Sequence, residues 1–228
     1  RVRSSAASDV YKRQALRLAL HLAERVGDIP LKCVVYNNLS ELAFRSGDLA
    51  TSESLSQQSV FITEQINDPV YMSLWSVGLV RALQEQGKLV EAGKTVLRLM
   101  KISHVTNISL CLGAALVSLG NFRIMQALSD NSTRTHYLSR AKATLRHALT
   151  FEDLDAEIKL EGQLTLARAF FLLGEFDNAR QIASAALTHA HSSDLAWIEA
   201  RLLPLMGAIL ARQGKWNEAK GYFEQAIQ

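Results

Sequence analysis

Four segments of this 228-residue chain end in the same way. YNNLSELAFRSGD, SVGLVRALQEQGK, QLTLARAFFLLGE and LPLMGAILARQGK each close on a glycine followed by a polar residue, at Gly47, Gly87, Gly174 and Gly214. The first two glycines stand forty positions apart, as do the last two, and the wider interval between Gly87 and Gly174 fits two further periods. An internal repeat of this length constrains the fold more than local propensity does, because each unit must bury its apolar face against its neighbours.

The positions around these glycines read as two helices per repeat. Eight residues before them stand Leu39, Leu79, Leu166 and Met206, and four before stand Ala43, Leu83, Phe170 and Leu210, successive turns of one helical face. Seven before come Ser40, Val80, Ala167 and Gly207, mostly small, where a neighbouring helix can approach closely. After the glycine a new phase begins with Leu49, Leu89, Phe176 and Trp216, then Ser52, Ala92, Ala179 and Ala219; Ala183 and Phe223, then Ala186 and Ala226, continue that stripe. Glycine suits the join because a helix commonly ends on a left-handed residue, which a Cβ disfavours. Only three prolines, 7% aromatics and a 48% hydrophobic content rich in alanine and leucine agree with an all-α fold.

This constellation resembles the tetratricopeptide repeat, a pair of antiparallel helices. LARAFFLLGEFDNARQIASAAL and MGAILARQGKWNEAKGYFEQAI match it best. The resemblance implies an all-α, right-handed superhelical solenoid of antiparallel helix pairs. The repeat at Gly47 departs from the pattern with Ser52, Ser56 and Ser59 where alanine or larger apolar residues are usual, and in the middle repeat His136 stands in the glycine position after a polar SDNSTRT loop. The expected layout is one solenoid over 15–228, with an orphan helix at 15–27 and helix pairs near 30–66, 69–104, 107–150, 153–191 and 193–228. A period near 40 rather than 34 implies helices of about 25–30 Å. Pro204 conflicts with an uninterrupted helix, and a kink there is the expectation.

Charge is distributed unevenly. The formal net charge of +3 comes from 25 basic and 22 acidic residues, and residues 1–14 hold four of the former (Arg1, Arg3, Lys12, Arg13) against Asp9 alone. From residue 15 onward the chain balances at 21 basic against 21 acidic groups, which removes the support for direct nucleic-acid binding. The string DVYKRQ resembles translated sequencing-adapter read-through, so residues 1–14 are read as a non-native or disordered tail outside the fold. The chain ends within a second helix and has no polar capping helix, so both ends are read as truncated and the parent as a larger multidomain protein.

Residue types that carry chemistry do not assemble into a site. Gly87-Lys-Leu-Val-Glu-Ala-Gly93-Lys94-Thr95 resembles a phosphate loop, but five residues separate its glycines instead of four, and the repeat register places Ala92 and Gly93 inside a helix. His189 and His191 point about 200° apart on a helix and cannot chelate one ion. The acids Glu152, Asp153, Asp155, Glu157 and Glu161 lack calcium-loop spacing and suit a helix N-terminus. Cys33 and Cys111 form neither a disulfide framework nor a zinc pattern, and ISLCLGAALVSLG is too short and too interrupted by glycine to span a bilayer. No catalytic residue, metal, cofactor or membrane contact is expected, and a cytoplasmic location is the default.

In the family that the pattern resembles, first helices line a concave groove and bind peptides. On this register the groove positions are those six, three and two before each glycine: Glu41, Phe44 and Arg45; Arg81, Gln84 and Glu85; Arg168, Phe171 and Leu172; Ala208, Ala211 and Arg212. Arginines there suit an extended peptide carrying carboxylates. The expected function is a non-catalytic protein-interaction scaffold of a larger, bacterial signalling or regulatory protein, with a protein or peptide partner. The forty-residue repeats also resemble the arms of bacterial adenylyl cyclases, kinases and LuxR-type ATP-dependent activators, so the alternative is a metabolite-sensing arm of the last class.

Overall fold

The computed structural model describes residues 2–193 and 195–227, with side chains described from residue 10 onward. Arg1 and Gln228, the ends of the ranges read above, lie outside them. Among the described residues there are eleven helices and no strand: α1 (Val2–Val26), α2 (Ile29–Arg45), α3 (Leu49–Ile66), α4 (Pro69–Glu85), α5 (Leu89–Thr106), α6 (Ser109–Ser129), α7 (Arg134–Ala148), α8 (Ala156–Leu172), α9 (Phe176–Ser192), α10 (Ala196–Arg212) and α11 (Trp216–Ile227). They form two compact units, Arg1–Cys111 and Leu112–Gln228. The division falls within α6, in the repeat that departs furthest from the common pattern.

One hydrogen-bond arrangement closes α2, α4, α8 and α10, the first helices of four pairs. Gly47 takes a φ of 79°, and the chain then folds back so that the Asp48 N–H donates to the Ala43 carbonyl at 2.9 Å. Gly174 takes the same φ, and Glu175 donates to Phe170 at 3.0 Å; Lys88 and Lys215 make the equivalent bonds. These bonds satisfy carbonyls that a helix C-terminus would otherwise leave open. Asp28 and Asp68 then start the next pairs, their carboxylates accepting from the Leu31 N–H at 2.9 Å and the Val70 N–H at 3.0 Å, with Pro30 and Pro69 in the first turn, where no amide is needed.

In the first unit, successive helices pack antiparallel and α2 also touches α4. Residues 2–14, set apart by the sequence reading, are helical and form the start of α1 without a break, and the Arg13 guanidinium donates to Ser46 Oγ at 3.4 Å. The serines of α3 serve as small core residues. Ser52, Ser56, Ser59 and Thr63 are all buried against α2. Ser40 Oγ donates to the Ser52 carbonyl at 2.8 Å and lies 2.6 Å from Ser56 Oγ, while Ser59 Oγ donates to the Cys33 carbonyl at 3.1 Å. A buried hydroxyl without a partner costs about 1–3 kcal/mol; these have one. Cys33 donates to the Ser59 carbonyl at 3.2 Å, and burial pushes its thiol above the ordinary range.

In the second unit the same stripe is alanine: Ala179, Ala183, Ala186 and Ala190 are fully buried in a core with Leu160, Leu166, Phe170, Ile198 and Met206. Glycines set close approaches. A Cβ on Gly120 would lie 2.5 Å from Leu145 Cδ2, one on Gly113 2.4 Å from Leu154, and one on Gly207 2.6 Å from the Phe223 ring. His136, read above in the glycine position, lies inside α7. The join instead falls at 130–133, where Asp130 accepts from the Ser132 N–H at 2.9 Å and the Thr133 hydroxyl at 2.9 Å. α8 starts one turn later than the acidic run suggested, with Asp155 accepting from the Glu157 N–H at 2.8 Å. α10 continues through Pro204, which is exposed, as is Ala200, whose carbonyl the proline leaves without its helical donor. At 21 residues α6 is long and apolar enough to cross a membrane, although the sequence stretch looked too short; more than half of its most apolar 18-residue stretch is buried in protein, with Ile124 and Ala127 packed on Leu138, Ala141 and Ala169.

Gly120→Ala is expected to destabilise the fold by about 1–3 kcal/mol through overpacking against the buried Leu145. Gly221→Ala, whose methyl would meet nothing within 4 Å, is expected to stabilise it by about 0.5–1 kcal/mol. Urea unfolding followed by circular dichroism reads both; a neutral Gly120→Ala would contradict the α6–α7 contact.

Candidate functional site

The fixed repeat period places equivalent side chains of consecutive first helices side by side, and in the first unit this assembles much of the expected row. Glu41 on α2 is the hub. Its carboxylate accepts from Arg45 Nε at 2.7 Å and from the Arg81 guanidinium on α4, one full period further along the chain. The same guanidinium lies over the Phe44 ring, 4.2 Å from its centroid. Arg81 is held more firmly than an exposed groove residue would be: its side chain is 13% exposed and that of Glu41 25%. Gln84, expected on the surface, is buried, whereas Arg45 and Glu85 are exposed at the margin. The fold therefore supplies an internal carboxylate to the arginine that was expected to receive a ligand's.

The second unit does not gather its expected row in this way. Phe171 packs against Phe176 across the helix join, with ring centroids 5.9 Å apart. Arg168, Leu172, Ala208 and Ala211 are half-buried, and Arg212 is exposed. What spans α8 and α10 is a pair that sequence reasoning passed over: Arg201 Nη1 donates to both oxygens of Glu161, at 2.9 and 2.8 Å, and its guanidinium lies 5.8 Å from the Trp197 ring. Glu161 and Arg201 are again one period apart. They stand seven residues before the six-back position, two helical turns earlier on the same stripe. Extending the stripe by that interval would have found them.

A second set of contacts links the starts of second helices to their neighbours. In the first unit Glu53 accepts from Lys88 at 2.6 Å and Gln86 at 2.8 Å, and in the second Glu175 accepts from Lys142 at 2.6 Å. Lys88 and Lys142 hold these two carboxyls below the ordinary glutamate range. A cleft of about 560 Å³ opens between α9 and α11, with Met206 and Leu210 of α10 as its floor and Asp177, Arg180, Gln181 and Tyr222 on its walls. Ala92 and Gly93 of the phosphate-loop-like segment lie within α5, their amides part of a helix. Among the described residues no three His, Cys, Asp or Glu side chains are grouped to hold a metal.

No family model matches the chain, and no curated protein matches it. Solved structures do. BtubC (BKLC) from P. vanneervenii is 20% identical, with a TM-score of 0.56 over 98% of this chain and 87% of that one. A variant of a kinesin light chain-like protein of Podosopora anserina with nearly identical TPR-like repeats is 17% identical, with a TM-score of 0.55 over 84% of this chain and 91% of that one. A signal transduction ATPase with numerous domains from Pyrococcus horikoshii, which has a tetratricopeptide repeat sensor, is 15% identical, with a TM-score of 0.52 over 86% of this chain and 30% of that one. The chain has the tetratricopeptide-like fold of antiparallel helix pairs.

A double-mutant cycle of Glu41→Gln and Arg81→Gln, read by denaturant unfolding, is expected to give a coupling above about 0.5 kcal/mol, as for residues in direct contact. Additive effects would mean that the pair does not persist in solution.

Proposed function

We propose that this chain is a non-catalytic protein-interaction module of a larger, bacterial signalling or regulatory protein in the cytoplasm, and that it holds a partner peptide against its first helices. The observation that carries this reading is the side-by-side presentation of positions one repeat apart, with Glu41, Phe44 and Arg81 as its most developed cluster. Such a surface offers rows of charged, amide and aromatic groups, and among the described residues no three His, Cys, Asp or Glu side chains converge on it to hold a metal. In the first unit a partner would engage Arg45 and Glu85 at the exposed margin; in the second, taken by itself, Arg168, Phe171 and Arg212 on the first helices are the candidate contacts. Charge-assisted bonds from arginine to a peptide carboxylate are strong for hydrogen bonds, so the arginines are the natural anchors.

A metabolite-sensing arm is the second reading, and the likeness to the ATPase with a tetratricopeptide repeat sensor favours it. Peptide display on the whole chain followed by calorimetry separates the two. The interaction reading predicts selected peptides that bind saturably and weaken about tenfold or more, roughly 1.4 kcal/mol, in Arg45→Ala/Arg168→Ala. Failure to select any peptide, or undiminished binding by that variant, would contradict it. Saturable heat with a sugar or other metabolite, and none with peptides, would establish the second reading instead.

A further inference from the structure

α7 is unlike the other helices of its unit in charge. The unit is neutral, with twelve basic and twelve acidic residues over 112–228, yet α7 carries Arg134, Arg140, Lys142 and Arg146 with no acid at all. α6 beside it has Arg123 as its single charge. Arg140, Arg146, His136 and His147 share the exposed arc of α7, opposite the buried Leu138, Ala141, Leu145 and Ala148.

The fold leaves this positive face largely uncompensated. Arg123 donates to the Arg140 carbonyl at 3.2 Å and to the Thr144 hydroxyl, neither of them an anion. Burial first, then repulsion from Arg140, lowers its pKa. Asp130, the acid at the head of α7, directs its oxygens to Ser132 and Thr133, and the first turn of α7 has no acid and no side-chain cap to offset the positive end of its dipole. Glu175 shows how the face treats an anion: it binds Lys142 at 2.6 Å, and Lys142, with Arg146 beside it, holds its carboxyl below the ordinary glutamate range.

We infer that the exposed face of α7 is a docking surface for a short acidic segment of a partner protein. The arc from His136 to His147 runs about 17 Å at the helical rise, the reach of about five extended residues. Its length decides against a nucleic acid. Glu152, Asp153, Asp155 and Glu157 follow directly beyond the end of α7, so a longer polyanion would run from the basic arc towards like charge. This surface lies on a second helix and does not depend on the first-helix reading above, whose test uses other residues.

The test is fluorescence anisotropy of the whole chain with a labelled eight-residue peptide of alternating Glu and Ser, its Gln-for-Glu counterpart, and an eight-nucleotide oligothymidylate, at low and high salt. The Glu peptide should bind saturably and weaken with salt. Binding should fall about tenfold in Arg140→Glu/Arg146→Glu and two- to threefold in Arg140→Gln, losses of the order that steered charge contacts give, and stay unchanged in Lys220→Glu. Arg146 also lies over the Phe170 ring at 5.2 Å, so Arg140→Gln, at an exposed site, decides the matter if the double variant is misfolded by circular dichroism. Absence of saturable binding, equal binding of the Gln peptide, insensitivity of a folded variant, or tighter binding of the oligonucleotide would each overturn the inference.

Discussion

In the four helix pairs joined by a glycine, the residue seven before it and the residue nine after it are core positions of the two helices, and the volumes at these two positions constrain the rest of the fold. Ser40 and Ser56 occupy them in one pair, their hydroxyl oxygens 2.6 Å apart. Ala167 and Ala183 occupy them in another, both fully buried. Gly207 and Phe223 do so in a third, where the ring fills the space that a Cβ would need. Val80 and Val96 stand at the same places and are fully buried as well. Serine meets serine, alanine alanine, valine valine, and glycine a phenylalanine ring, so the volumes at the two positions are matched within each pair, as dense interior packing requires.

Surface chemistry follows from that spacing. Once the pairs repeat at a fixed period, equivalent first-helix positions become neighbours, and charges of opposite sign at those positions join helix to helix, as Glu41 does with Arg81 and Glu161 with Arg201. These pairs are partly shielded from solvent, and they commit arginines that would otherwise face a partner. The basic arc of α7 is the opposite case, a set of cations that the fold leaves largely without acids.

Much of this was legible in the sequence. The glycine joins, the two apolar stripes and the small residues seven before each join specify antiparallel helix pairs, because periodicity and left-handed helix ends are local properties. The serines of α3 looked like decay of the pattern; only the cross-helix bonds from Ser40 and Ser59 show that hydroxyls can fill alanine's place. Gly207 and Phe223 were each in register, but their compensation is a three-dimensional relation. Glu41, Phe44, Arg45 and Arg81 were selected and do converge, while Gln84 turned inward. Glu161 and Arg201 were passed over because the row was followed for one turn only, and the charge of α7 was hidden by summing residues 15–228 together.

Cross-linking tests the central packing claim most directly. Ala167→Cys/Ala183→Cys puts two thiols at fully buried, small-residue positions of α8 and α9 that share one core; a disulfide between them needs a Cα separation of about 4.4–6.8 Å, and the natural Cys33 and Cys111 are free and buried. Mild oxidation followed by peptide mass spectrometry should find residues 167 and 183 joined in a folded monomer. Two free thiols in a folded, oxidised protein would contradict the account.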